Sequence, residues 1–555
     1  MNRMRSLLMP AFTAVALSGY AFGTSGENGV AFHGSVQADV LFPEEDKEIG
    51  TDKYDHKVLF NTYADMHMTS RYVDAGARVE FMRWPLPGYE SDFAGWGVPN
   101  VYVKGRYKGF ELTAGDFYEQ FGAGFILRTY EDRSLGIDNS IRGGRLKVTA
   151  ISGVRLTALG GVQRRYWDWK KSSQVYGADA EFIMQDIFKG LQKHHAYWTV
   201  GASYVLKHES DADIMVPGHD WRLNLPKNVN AADVRTEFHK NDFAVTGEFA
   251  WKGQDPSFDN NYTYANGTAV MLSGSYSKSG LSALIQAKRS ENMSFRSQRS
   301  MSGTSVFLNN MPVFTYLHTY ALATIYPYAT QAAPGEWAFQ GQFGYNFKKG
   351  TAIGGRYGTK VKLNLSYIRA LHTTGLKNAV DGIVMGSDGH GSTFFGMGHE
   401  YYHDFNIQIE KKWSKSVNQT FMYMNQMYDK VIEGHAEEGR VHANIFVLDT
   451  KWRISRRFTL RNELQYLHTC QDKKDWLYGL LELSIAPYVM ITATDMWNSG
   501  STGTHYYNFG VAGNYGANRF QLSYGRTRAG FNCSGGVCRY VEATRGFQIA
   551  YNYTF

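Results

Sequence analysis

The chain has 555 residues, a formal net charge of +7, 15% aromatic residues, 58 Gly, 12 Pro and 3 Cys. The basic excess is small and spread along the sequence, so composition gives no sign of a nucleic-acid partner. No stretch is long and apolar enough for a membrane-spanning helix, which needs about 20 apolar residues. A mean hydropathy of −0.38 would suit a soluble chain, yet transmembrane barrels escape such scans because lumen-facing and lipid-facing residues alternate.

The start of the chain reads as a secretory signal. Arg3 and Arg5 form the charged region, 7–17 is a short apolar run broken by Pro10, and small residues follow around Ala21 and Gly23. The expectation is a cleaved signal peptide over 1–23 and one barrel domain over 24–555. No separate plug domain is expected before the first strand. Alternation begins at 32–42, where His33, Gln37 and Asp39 share one face. A charged loop follows over 43–57. Strands are expected at 58–70 and 72–84, then a loop at 85–97, and strands at 98–108 and 110–119 around a turn at Gly109.

This rhythm continues. Short joints fall near 151–153, 240–242, 278–280, 412–416, 454–456, 486–487 and 516–518. Long joints fall at 210–228, 254–266, 294–334, 371–397 and 527–540. Short periplasmic turns alternating with long external loops are the hairpin grammar of outer-membrane barrels. The short joint at 185–195 departs from it: Ile187, Phe188 and Leu191 have helical spacing, which predicts a short interfacial helix. The fold class expected is all-β: a single large antiparallel transmembrane β-barrel of about 24 strands, within roughly 22–26.

The final stretch runs from Arg545 to Phe555. Phe547, Ile549, Tyr551, Tyr553 and Phe555 share one face, and Gln548, Ala550, Asn552 and Thr554 the other. A terminal aromatic carboxylate closing such a strand resembles the export and insertion signal of bacterial outer-membrane barrels. It implies recognition by the barrel-assembly machinery and residence in the outer membrane of a Gram-negative cell, against lipid bilayer and lipopolysaccharide. A soluble β-helix or sandwich would explain neither this terminus nor strands of about 9–11 residues, the length that spans a bilayer.

The densest stretch is 116–145. It mixes Asp116, Glu119, Glu131, Asp132 and Asp138 with Arg128, Arg133, Arg142 and Arg145. It is also too apolar, at Phe121, Phe125, Ile126 and Leu127, for a solvated tip. The reading is a loop folded back into the lumen, its charges paired with wall residues because buried charges need partners. Wall candidates are Arg155, Arg164, Arg165, Asp179 and Glu181. Such a loop is either a constriction or a staple that fills space. A barrel of this size encloses a wide lumen, so the wall, loops or a protein partner must fill it. Near the C-terminus, Cys533 and Cys538 bracket a flexible Ser-Gly-Gly-Val turn, and an exported chain favours a disulfide there. Cys470 is left over, in a surface loop.

Several segments are similar to a family of Bacteroidota outer-membrane barrels catalogued as a domain of unknown function. They are Phe117-Tyr-Glu-Gln-Phe-Gly-x-Gly, Leu127-Arg-x-Tyr-Glu-Asp-Arg, Leu135-Gly-x-Asp-Asn, Arg142-Gly-x-Arg145, Tyr176-Gly-Ala-Asp-Ala-Glu181 and Cys533-Ser-Gly-Gly-Val-Cys-Arg539. The resemblance implies location and fold. It carries no activity and no catalytic residue.

His399-Glu-Tyr-Tyr-His403 matches the H-E-x-x-H zinc pattern, whose chemistry needs a helix. Phe405, Ile407 and Ile409 alternate with Asn406, Gln408 and Glu410, which makes this a strand. Both imidazoles would then face lipid and Glu400 the lumen, and no metal site is expected. Asp381, Asp388 and His390 in the preceding Gly-rich loop give no supported cation site. No catalytic set and no cofactor are expected. The function expected is a channel or porin-like barrel for small solutes or glycans. The alternative is a non-conducting structural or interaction barrel that scaffolds a surface or secretion assembly through a periplasmic or surface protein partner. A barrel hydrolase is the weakest alternative.

Overall fold

The computed structural model describes residues 29–51, 54–171 and 173–555. The signal-peptide expectation lies outside the described residues. Twenty-four antiparallel strands form one closed wall. Closure comes from the first strand, Ala31–Pro43, which pairs on one side with Leu59–Thr69 and on the other with the last strand, Thr544–Thr554. Phe555 continues that seam: its N–H donates to the Gly34 carbonyl at 3.0 Å and its own carbonyl accepts from Gly34 at 3.0 Å. A sheet closed on itself leaves no unpaired edge, so its backbone can cross lipid.

Alternation explains the wall. In Leu281–Glu291, Leu281, Ala283 and Ile285 point outward, with Ile285 74% exposed. Gln286, Lys288 and Ser290 point inward, and Lys288 is fully buried. Most strands are 10–14 residues long. Phe110–Phe117 and Ile141–Val148 have only 8 residues, and His390–Lys412 has 23. With alternation of this kind and an outward apolar belt around a closed wall, the protein is an outer-membrane type β-barrel; no helix among the described residues is long and apolar enough to cross a membrane.

The expected hairpins recur with boundary shifts of a few residues. One long joint is shorter than expected. Instead of a loop over 371–397, Thr359–Leu376 and His390–Lys412 carry on past the wall as a bulged ribbon, leaving a connection of 377–389. The strand before 85–97 ends as expected, but the next begins at Gly95. At 184–195 the chain forms two short helices, Met184–Ile187 and Lys189–Lys193. Apart from 348–358, the remaining connections at that end are short turns, so it is the periplasmic end.

Candidate functional site: a lumen filled by external loops

The wall is short at Phe117 and Ile141, and between them residues 118–140 turn into the lumen. Gly122 and Gly124 adopt φ of 50° and 92°, the left-handed region that costs glycine least. A Cβ at Gly122 would stand 2.7 Å from the Glu248 carboxylate. That close approach lets the Ala123 N–H donate to Glu248 Oε2 at 2.8 Å. Phe121, Phe125, Ile126 and Leu127 then bury against inward Val175, Val205, Val229, Ala231, Ala250 and Ala269. Those wall positions are small or apolar where a water-filled lumen would have polar ones.

Residues 292–335 form the second plug element. The Arg128 N–H donates to Leu308 O at 2.7 Å, and Asn309 Nδ2 donates to Phe125 O at 2.8 Å and Met293 O at 2.6 Å. Farther along, Phe314, Leu322, Ile325, Tyr326 and Tyr328 pack on the opposite wall, against Ile368, Met422, Met424, Ile445 and Val447. Polar anchors punctuate the path. His318 Nε2 meets Asp404 Oδ2 at 2.6 Å, and the Leu322 N–H donates to Gln465 at 2.8 Å. Glu336, fully buried, pairs with Lys288 at 2.7 Å and accepts from the Tyr328 hydroxyl at 2.5 Å and the Gln331 N–H at 2.8 Å.

The charges of the first loop close a buried network with the wall. Arg78 pairs with Glu80 at 2.8 Å, with Glu131 at 2.5 Å and with Asp138. Arg164 joins Glu80 at 2.8 Å and Asp138 at 2.5 Å. Burial pushes the Asp138 carboxyl up, but the guanidiniums of Arg164 and Arg78 outweigh it and hold the group below the usual carboxylate range. Arg133 reaches Asp65 at 2.8 Å, Glu131 at 2.5 Å and Gln37 at 3.1 Å, and lies 4.2 Å over the Tyr63 ring. Arg145 pairs with Glu119 at 3.0 Å and Glu111 at 3.2 Å.

Four expectations need correction. Asp116 and Arg142 pair at 2.8 Å, but on the outer face of the wall: Asp116 follows Leu112 and Ala114 in the alternation, and Arg142 lies 3.5 Å over Trp169. Among the described residues Arg128 joins no ion pair, and it lies 5.3 Å over the Tyr130 ring. Asp132 accepts from the Ser134 N–H and hydroxyl at 2.9 and 2.6 Å instead of pairing with the wall. Of the wall candidates only Arg164 meets the loop's charges. Asp179 and Glu181 pair with Arg235 at 2.5 and 3.0 Å, Arg155 faces Glu181 at 3.9 Å, and Arg165 donates to Gln298 at 3.3 Å. The partners that sequence reasoning missed are Arg78, Glu80, Asp65 and Glu248. They sit far away in the chain, on inward positions with no local signal.

The third element is a hairpin, Gly530–Ser534 paired with Val537–Val541 and joined by the Cys533–Cys538 disulfide. It touches both plug loops. Gly536 O accepts from the Thr330 N–H at 2.9 Å, and Asn532 donates to Ser134 O at 3.2 Å. Arg539 lies 4.6 Å over Tyr89. Cys470 is free and exposed, in the connection 469–475. Beneath the hairpin, at the seam of first and last strands, lies a cavity of about 390 Å³ whose lining includes Asp39, Gln521, Ser523, Gln548 and Arg528.

The segment around His399 is a strand, as expected, but Glu400 does not face the lumen. The bulge near Tyr401 brings Glu400 Oε1 to 2.6 Å from His403 Nδ1, and Tyr401 and Tyr402 are both buried. His399 meets the Tyr401 ring edge-on at 4.8 Å and does not join them as a ligand set. Among the described residues the one group with metal-ligand spacing is His435, Glu437 and Glu438, exposed on an external connection.

Several solved structures are similar to the chain at low identity. OccAB3 of Acinetobacter baumannii is 9% identical with a TM-score of 0.37, over 95% of this chain and 99% of its own. OpdK of Pseudomonas aeruginosa is 10% identical with a TM-score of 0.37, over 95% and 98%. The P pilus usher PapC translocation pore is 8% identical with a TM-score of 0.41, over 94% and 99%. No curated protein sequence matches the chain. A family profile matches over residues 1–555, and the chain belongs to that family, the family of unknown function DUF6029.

Proposed function

We propose that the protein is a channel-type barrel for small solutes or glycans, held in a low-conducting state by its own external loops. The observation that supports this most is the polar seam. While loop side chains pack on much of the inner wall, Asp39, Gln521, Ser523 and Gln548 line the 390 Å³ cavity, and Gln37 stands next to Asp39 on the same strand face. Amides, a carboxylate and hydroxyls suit the hydroxyl groups of sugars and other small polar solutes. Arg133, bonded to Gln37 and Asp65, stands at this strip as the constriction.

One observation favours the second reading, a non-conducting barrel that scaffolds a surface or secretion assembly. The plug is packed like a domain interior, with Phe125, Ile126, Leu127, Leu308 and Leu322 fully buried. Single-channel conductance in a planar bilayer separates the two. The expected result is a small, steady, salt-dependent conductance that rises in Arg133→Ala. Silence of both proteins, with folding confirmed by circular dichroism, overturns the channel reading in favour of the scaffold. The proposal includes no enzymatic step, and a broad hydrolase screen of the purified barrel tests that part.

A further inference from the structure

A set of basic residues scattered in the sequence, with few carboxylates beside them, comes together at one end of the barrel. Every second connection lies on the periplasmic rim, and these connections carry Arg71, Lys108, Lys349, Lys415, Arg456 and Arg457, among others. Asp186 and Asp242 are the only carboxylates in them among the described residues. Those six cations join no ion pair among the described residues. Inward-facing neighbours behave differently: Arg106 pairs with Asp74 at 2.7 Å and Lys362 with Glu410 at 3.1 Å.

Two of these cations, and Lys411 at the end of its strand, rest on outward-facing rings. Arg71 lies 5.2 Å over Tyr72, Lys108 5.2 Å over Tyr107, and Lys411 4.7 Å over Trp413. Tyr72, Tyr107 and Trp413 are all more than half exposed. Rings of this kind settle at the level of lipid headgroups, and long basic side chains beside them carry their charge to the interface. The two short helices fit the same layer, with Ile187 and Phe188 exposed next to Lys189 and Lys193. The turns 70–72, 108–109 and 454–457 are too short to reach far into the periplasm.

We propose that the periplasmic rim is a binding belt for anionic phospholipid headgroups, which it gathers around the barrel in the leaflet facing the periplasm. The chemistry recognised is a phosphodiester with net negative charge. Girdle rings hold the acyl-chain boundary while unpaired ammonium and guanidinium groups meet the phosphates. Placement on the outward rings favours lipid over a soluble periplasmic polymer.

The test uses the whole barrel refolded into phosphatidylcholine vesicles with roughly 30% phosphatidylglycerol, an anionic content at which basic clusters bind measurably. Protein and its surrounding lipid are extracted together into polymer nanodiscs, and the lipids are counted by mass spectrometry. Phosphatidylglycerol is expected to be enriched at least about two-fold over bulk, and to return to bulk at high salt, where exposed charges are screened. Combining Arg71→Gln, Lys108→Gln, Lys349→Gln, Lys415→Gln, Arg456→Gln and Arg457→Gln is expected to abolish the enrichment. Lys473→Gln with Lys474→Gln, on the external side, is expected to leave it unchanged. Bulk composition around the wild type, or equal enrichment in the six-fold variant, overturns the proposal. So does loss of enrichment in the external variant. Co-sedimentation with purified peptidoglycan in the absence of phosphatidylglycerol enrichment would make a polymer the partner and also overturn it. Should the six-fold variant fail to fold, the salt titration of the wild type decides, since enrichment indifferent to salt is incompatible with the belt.

Discussion

Two stretches of the same inner wall face different solvents. From Val175 to Ala269 the inward positions include Val175, Val205, Val229, Ala231, Ala250 and Ala269, and apolar loop side chains dock on them dry. At the seam the inward positions include Asp39, Gln521, Ser523 and Gln548, and a cavity remains. A strand of a water-filled barrel reads apolar outside and polar inside. Under the loops the inside mixes apolar positions with polar groups that are paired or bonded to the loops, as Glu248, Asp404 and Gln465 are; at the seam polar groups line open space. The lumen is therefore two regions: a folded interior made of external loops, and a polar strip beside the closure of the barrel.

The largest expected effect lies in the dry region. Glu336→Ala would strand fully buried Lys288 and release Tyr328 and Gln331, costing about 4 kcal/mol, as breaking a buried ion pair does. Unfolding in detergent micelles, followed by tryptophan fluorescence, reads it. Replacing both partners by Met should restore most of the loss. If Glu336→Ala is as stable as wild type, the dry region is not a folded interior.

Asp138 sharpens the boundary between the regions. Asp138→Asn is expected to cost about 3 kcal/mol at neutral pH by leaving two buried guanidiniums short of a partner. Because the folded carboxyl lies below its ordinary value, its stabilisation is complete above about pH 4, the unfolded range. It is lost as pH falls through the folded pKa. The gap between wild type and variant should therefore close only below pH 4, and a gap that closes well above it would contradict the Arg78 and Arg164 pairing.

The smallest effect belongs to the seam. Opening the Cys533–Cys538 ring with Cys533→Ser should cost at most about 2 kcal/mol, the loop-closure value for so short a ring. The loss should be local, appearing as faster hydrogen exchange in 530–541 and beside Thr330, with Leu308 and its neighbours unchanged. Loss of protection in the dry region as well would merge the two regions into one cooperative unit.

Much of this architecture was legible in the sequence because each strand carries its own period-two pattern. That pattern needs no partner to be read, so the hairpin order, the number of strands and the closing role of Thr544–Thr554 follow from local residues. The in-folded loop was legible for a related reason: Phe121, Phe125, Ile126 and Leu127 have no business at a solvated tip. The second plug element at 292–335 was legible only as a long joint. Its anchors, from His318 to Glu336, are ordinary loop residues until Asp404 and Lys288 stand opposite them.

By itself, the sequence determined a closed antiparallel wall, its seam, and the paired cysteines of one hairpin, since each depends on alternation or close spacing. Only the tertiary structure decided which charges meet. Strand alternation put Asp116 and Arg142 outside while Asp138 went inside, and Glu80 and Arg164 met across 84 residues of chain. It also gathered cations that lie far apart in sequence onto one rim, because antiparallel strands return every second turn to the same end. Coulomb interactions act through space, and the order of residues along a chain specifies that space only once the barrel has closed.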